Sequence, residues 1–234
     1  MKVKKKVYKK ILVLGDPHAP WIDEGAFKAA KRWADTHKPD LVVCLGDLTD
    51  QKIWSRWQKD QDDVSPCEEF DRAEVILKRL HRWFPNMVIL RGNHDNRIKK
   101  RAVEAGLPSK MFRDVEEVFD YAGWTWIPVG ERYVVNTARG KLLFLHGDEM
   151  GGTAVQKSRI LGMNLIQGHT HKASIIYTKT DTYHIFGAEM GCMMDIASKA
   201  AEYAQANPVG SSVGFGVVKY GVPYFLPYAK GDRL

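Results

Sequence analysis

No apolar run in this 234-residue chain is much longer than about five residues, far short of the length needed to cross a membrane. Cysteine is scarce: Cys44, Cys67 and Cys192 are an odd number, and no two have CxxC spacing. That excludes a disulfide framework and a cysteine-based zinc site, and implies free thiols in a reducing compartment. Internal repeats, low-complexity tracts and long linkers are absent, which removes solenoid and disordered classes. There is no acidic surplus either, since the formal net charge is +7. The start, "MKVKKKVYKKILVLGD", is basic and then apolar. Its apolar part, Ile11 to Leu14, is too short for a signal peptide and no small-residue cleavage site follows, so the expected compartment is the cytoplasm.

With 44% apolar and 27% charged residues, the chain can bury a core without staples. We expect a basic tail over 1–10 and a single domain over 11–234. The positive charge is concentrated. Lys2, Lys4, Lys5, Lys6, Lys9 and Lys10 crowd the tail, and Arg97, Lys99, Lys100 and Arg101 form a second group. Such groups attract polyanions, although for the tail a plain solvated face carries more weight.

Strands and helices alternate at first. "ILVLG" (11–15), "LVVCLG" (41–46) and "MVIL" (87–90) read as buried strands. Between them, 23–37 places Ala26, Phe27, Ala30, Trp33 and Ala34 on one helical face, and Ser65, Pro66 and Glu68 read as a capping box opening a helix to about Phe84. A β-α-β-α-β order implies parallel strands. The second half is richer in strands: 124–129, 132–136 and 141–147 suggest hairpins, followed by 164–168, 174–178 and 182–187. Short helices are expected around 97–105, 153–160 and 196–206, and a closing hairpin around Gly221. "GAEMGCMMD" (187–195) reads more as a buried turn than as part of a site.

The strand ends carry the chemistry. The apolar runs stop at Asp16 and His18, at Asp47, at Asn93-His94-Asp95, at His146, and at His169 and His171. Five of the eight histidines sit there, leaving His37, His81 and His184 as ordinary packing or surface residues. One strand-end histidine is usually a satisfied polar residue. Five beside two aspartates and an asparagine are hard to explain as turns. Ligands in open α/β sheets bind outside the carboxyl ends of strands, so neighbouring strands would gather these donors in one crevice. The set is nitrogen and oxygen only, which suits manganese, with iron, zinc or nickel as alternatives. It is too large for one ion and suggests two, roughly 3.5–4 Å apart, an arrangement that serves phosphoryl displacement.

The motifs "GDPH", "GD" at 46–47 with Asp50 after it, "GNHD" at 92–95, "LHGD", and "GHTH" at 168–171 resemble, in order, the signature of the calcineurin-like metallophosphoesterases. The resemblance covers Asp16 to His171. It implies a four-layer α/β/β/α sandwich of two mixed sheets and a two-metal phosphoric ester hydrolase. It assigns Asp16, His18, Asp47 and His171 to one ion, and Asp47 as bridge, Asn93, His146 and His169 to the other. A metal-bridging hydroxide would attack phosphorus. His94 would serve the leaving oxygen as acid or phosphate binder, with Asp95 orienting its ring, and Asp50 would do little beyond hydrogen bonding. The chain departs from the Ser/Thr protein phosphatase branch. "GDLTDQK" has no arginine before Arg56, "GHTH" is absent from that branch, and the lone histidine reads "HGDEMGG". It sits better with general phosphoesterase and nuclease-like branches.

Two flanks could read the substrate. Trp54 and Trp57, with Arg56 between them, suit stacking on a base, or equally the small core of a lid. Arg97, Lys99 and Lys100 could grip a phosphate backbone, or merely face water. The expected function is a phosphodiesterase acting on nucleic acid or nucleotides, with a phosphomonoesterase as the alternative. A metal-binding scaffold with a dead site ranks last, because it predicts missing ligands and none is missing. The expected partner is the phosphate-ester substrate itself, with no membrane.

Overall fold

The structure is a computed structural model that describes residues 6–55, 64–179, 184–198, 201 and 210–229. Two six-stranded mixed sheets lie face to face. The first runs β1 (Val7–Tyr8), β6 (Tyr133–Thr137), β7 (Gly140–Leu145), β8 (Asn164–Gln167), β10 (His184–Met190), β9 (Ala173–Lys179). The second runs β12 (Val222–Pro227), β11 (Gly214–Lys219), β2 (Lys10–Leu14), β3 (Leu41–Cys44), β4 (Met87–Leu90), β5 (Trp124–Ile127).

Strand β2 explains the layering. Its side chains alternate, as strand geometry requires. Ile11 and Val13 join Val43, Leu142, Phe144 and Ile166 in the core between the sheets. Leu12 and Leu14 face the other way, onto Phe27, Trp33, Leu77 and Leu80 of α1 (Glu24–His37) and α2 (Pro66–Trp83). On the far side, Leu143, Leu145 and Leu165 pack on Ala154 of α5 (Ala154–Leu161). The four-layer α/β/β/α sandwich expected from the motifs is therefore the observed one. A strand buried on both faces reads as a continuous apolar run, which is why "ILVLG" and "LVVCLG" were legible.

Helix ends follow their local chemistry. Asp23 caps α1 by accepting from Ala26 N at 2.8 Å, and Ser65 caps α2 by accepting from Glu68 N at 3.1 Å. The reciprocal half of the expected capping box is not made, because the Glu68 carboxylate pairs with Arg72 one turn on. No helix among the described residues is long and apolar enough to cross a membrane.

Two expectations need correction. Strand β5 forms no hairpin with β6; it pairs in parallel with β4 at the edge of the second sheet, and of these three segments only β6 and β7 pair as a hairpin. The chain changes sheets between β5 and β6, which periodicity cannot reveal. Residues 7–10 belong to the fold rather than to a tail, since Val7 and Tyr8 pair with β6 and the amides of Lys9 and Lys10 donate to Asp40. Of the helix expected over 196–206, Ile196 and Ala197 form a turn and most of the rest lies outside the described residues.

Candidate metal centre

Parallel pairing sets the positions of the donors. β2, β3 and β4 are parallel neighbours in one sheet, and β7 and β8 in the other. Their carboxyl ends deliver Asp16 and His18, Asp47, Asn93 and His94, His146, and His169 and His171 to one crevice. Asp16, His18, Asp47, His94, His146 and His171 are buried, Asn93 is half-buried, and His169 stands exposed at the mouth. Five of these residues hold left-handed backbone: Asp16 (φ 36°), His18 (50°), Asp47 (46°), His169 (67°) and His171 (56°). Non-glycine residues rarely adopt it, and such strain persists only where the surroundings enforce it, typically at functional sites.

Two donor groups share Asp47. In one, His18 Nε2 lies 3.8 Å from Asp47 Oδ2 and 3.0 Å from His171 Nε2, which is itself 3.7 Å from Asp16 Oδ2. In the other, Asn93 Oδ1 is 3.0 Å from His146 Nε2 and 2.9 Å from His169 Nδ1, and His146 Nε2 is 3.4 Å from Asp47 Oδ2. Glycines make this convergence possible. A Cβ on Gly92 would lie 2.2 Å from Asp47 Oδ1, and one on Gly46 would lie 2.6 Å from His146 Nδ1. Close approach, not a sharp turn at positive φ, is what position 92 requires.

Partners behind the donors fix their orientation. His146 Nδ1 donates to Leu45 O at 2.9 Å and His18 Nδ1 to Asp50 Oδ1 at 2.7 Å, so each ring turns Nε2 into the crevice. His169 N donates to Asp16 Oδ2 at 2.6 Å, tying the two sheets together at the site. The fully buried Lys157 of α5 donates to Gly147 O at 2.5 Å, behind the His146 loop. The "GAEMGCMMD" segment is a buried support: Met193 N donates to Gly15 O at 2.8 Å, beside Asp16.

The donor set fits divalent cations. Asp16 Oδ1 is buried and accepts no hydrogen bond within the described residues. Burial pushes the Asp16 carboxyl up to about 7, against the pull of His146. Asp47 is held well below the ordinary carboxylate range: burial opposes this, but His146, His94 and His18 outweigh it. His146 is raised to about 10, because Asp47 and Asp16 overcome the burial that disfavours its charge. His171 is pushed well below its ordinary value by burial and by His18, which leaves the neutral imidazole that a metal needs.

Around His94 the structure revises the expectation. Asp95 does not orient its ring. The Asp95 carboxylate accepts from Leu48 N, Thr49 N, Thr49 Oγ1 and Gly92 N, welding one loop to the other. Asp50 takes the expected role, accepting from His94 Nδ1 at 2.9 Å as well as from His18. Residues adjacent in a turn point apart, so sequence proximity chose the wrong aspartate. His94 Nε2 lies 3.8 Å from Asp47 Oδ2, as near as His18 Nε2, but it also accepts from Arg97 Nη2 at 2.7 Å.

Beside Asn93 opens a cleft walled by Trp54, Arg97 and Lys100, with Val129 and Asp148 also lining it. Lys99 is not in it. Its ammonium pairs with Asp114 at 2.9 Å, on the other side of α3 (Arg97–Glu104). Asn96 and Arg101, not singled out as site residues from sequence, do line the cleft. Their helical spacing from Arg97 was the signal that could have found Arg101. Arg56 and Trp57 lie outside the described residues.

The family model for calcineurin-like phosphoesterases matches residues 9–173, and the chain belongs to that family. It is 26% identical to the gene 54 proteins of Mycobacterium phages D29 and L5, with 90% of this chain and 88% of each relative covered. Among solved structures it is similar to a metallophosphoesterase from Sphaerobacter thermophilus, with TM-score 0.47 and 12% identity over 96% of this chain and 89% of that one. It is also similar to Yfce, a phosphoesterase from E. coli, with TM-score 0.44 and 16% identity over 89% and 87%.

Proposed function

We propose that this member of the calcineurin-like phosphoesterase family is a two-metal phosphodiesterase acting on nucleic acid or nucleotides in the cytoplasm. The observation that carries the reading is the pair of donor groups that share Asp47, one with His18 and His94 and the other with His146 and His169, beside an open cleft lined by Arg97, Lys100 and Arg101. Asp16, His18, Asp47 and His171 would hold one divalent ion and Asp47, Asn93, His146 and His169 the other, with manganese the first choice. Two such ions supply positive charge at the phosphoryl oxygens and a water made nucleophilic at neutral pH.

The chain's own residues do the rest. Asp50 accepts from His94 Nδ1 and so aims Nε2 outward. With Arg97 displaced, Nε2 takes up a proton from solvent and gives it to the leaving oxygen, and the Asp50 carboxylate stabilises the imidazolium in between. Arg97 moves from His94 Nε2 onto a phosphoryl oxygen as substrate enters, a short displacement for a guanidinium that already touches the ring. The basic wall of the cleft supports a polynucleotide diester over a small monoester, because only the former brings a further phosphate to meet it.

The test uses purified protein with manganese on bis-p-nitrophenyl phosphate, p-nitrophenyl phosphate, and single- and double-stranded DNA and RNA. Turnover of the diester and of nucleic acid is expected; turnover of the monoester alone would sink the reading. His94→Ala is expected to lower turnover about 10²–10⁴-fold while two ions remain bound by elemental analysis. Loss of an ion in that variant would make His94 a ligand instead.

A further inference from the structure

One face of α3 looks into the cleft. Arg97, Lys100, Arg101 and Glu104 stand at i, i+3, i+4 and i+7, and all four line it. The charge along that face is graded. Arg97, next to His94, and Lys100 are basic, whereas Arg101 is paired with Glu104 at 2.9 Å at the far end. The Lys100 ammonium pairs with no carboxylate among the described residues. From Arg97 to Glu104 the helix rises roughly 10 Å, at about 1.5 Å per residue. The basic stretch is therefore short, and it starts where the leaving group departs.

The other wall carries Trp54, which is 38% exposed on a turn tied down by hydrogen bonds. Its carbonyl accepts from Arg101 Nε at 2.9 Å. The buried carboxylate of Glu69 accepts from Lys52 N at 2.8 Å, just before it. Gln51, in left-handed backbone, reaches across to accept from Ile98 N at 3.1 Å and donate to Asp95 O at 3.2 Å. An exposed indole on a pinned turn, opposite a basic helix face, is a stacking surface already in position. It loses little entropy on binding.

We infer that this cleft is the subsite for the nucleotide on the leaving side of the scissile bond in a single-stranded nucleic acid, with Lys100 on the next phosphate and the base stacked on Trp54. The assignment rests on the phosphodiesterase reading above. A single strand is required because a base inside a duplex has no free face to offer the indole.

The experiment compares wild type, Trp54→Ala, Trp54→Phe and Lys100→Ala. It reads kcat/KM with manganese on a short single-stranded oligonucleotide and on bis-p-nitrophenyl phosphate, and binding of the fluorescent oligonucleotide without divalent ions across a salt series. Trp54→Ala is expected to lower kcat/KM about tenfold more on the oligonucleotide than on the small diester, and Trp54→Phe to recover most of that difference. Lys100→Ala is expected to reduce the slope of log affinity against log salt by about 0.7. If the small diester turns over but neither substitution changes the ratio or the binding, the subsite falls and the diesterase reading stands. If no diester turns over while oligonucleotide binding still depends on Trp54, the diesterase reading falls and takes the leaving-side assignment with it, leaving only a single-strand binding surface. Equal use of duplex and single strand, with both insensitive to Trp54→Ala, would also overturn the subsite.

Discussion

The donor crevice and the cleft beside it are built differently although they share a border. In the crevice, most side chains are buried, several backbones are strained, and nearly every ring nitrogen faces a defined atom. Asp47 alone meets His18, His94 and His146 within 3.8 Å. In the cleft, side chains are half-exposed and individually replaceable: a lysine, an arginine already paired, an indole. Groups that must hold ions tolerate no change of angle, so they are fixed by backbone and by the partners behind them. Groups that receive a variable substrate need only area and charge.

Substitutions should expose that difference in graded steps. Asp47→Asn removes the carboxylate common to both donor groups. Turnover is expected to fall at least about 10³-fold, with metal content by elemental analysis dropping below two ions. A variant that keeps two ions and its activity would dissolve the distinction between the regions.

The next contrast lies within the crevice, between the two aspartates near His94. Asp50→Asn should lower turnover about 10–100-fold and shift its pH profile, because the His94 ring loses its charged partner, with little change in melting temperature. Asp95→Ala should do the reverse and lower stability by about 2–4 kcal/mol, since it leaves several buried donors without an acceptor. Denaturant titration and steady-state kinetics on both variants read the two effects separately. Equal loss of turnover from the two would return Asp95 to the ring.

Removing the ions should matter in a pH-dependent way. The folded value of His146, about 10, lies above its ordinary 6.5. Its stabilising contribution is thus complete below pH 6.5 and lost as pH rises through about 10. Asp16 acts in the same direction at lower pH, since a carboxyl raised to about 7 resists ionisation that the unfolded chain undergoes above 3.8. The metal-free protein should therefore melt at a falling temperature between pH 7 and pH 10, and the ion-loaded protein at a flatter one. Identical curves would mean that bound ions do not replace those protons.

The smallest effect is expected at Lys99. Its pair with Asp114 is partly exposed, so Lys99→Ala should cost at most about 1 kcal/mol by denaturant titration and leave oligonucleotide turnover within about twofold. A larger loss of turnover would put Lys99 back beside the substrate.

Much of the crevice could be read from the residues, and the reason is chemical. Ion binding demands particular side chains, and a parallel sheet delivers them from strand ends. Apolar runs ending in Asp16, Asp47, Asn93, His146 and His169 thus carried both the element and the donor. The misreadings share a different cause. Asp95 and Lys99 were assigned by proximity to His94, yet neighbours on a turn or helix diverge in direction. Strand β5 was assigned to a hairpin because its partner is distant in sequence. Stacking at Trp54 stayed level with packing because exposure is not a property of local sequence.

For this protein, then, residue types and their order determined the family, the layered fold and the candidate donors, since those depend on short-range pattern and on the limited chemistry of metal ligands. Only the tertiary structure decided which aspartate stands behind His94, which face of α3 meets the cleft, and how Gly46 and Gly92 make room for side chains from other strands. Those are matters of direction and distance between segments far apart in the chain, and they exist only once the two sheets have packed.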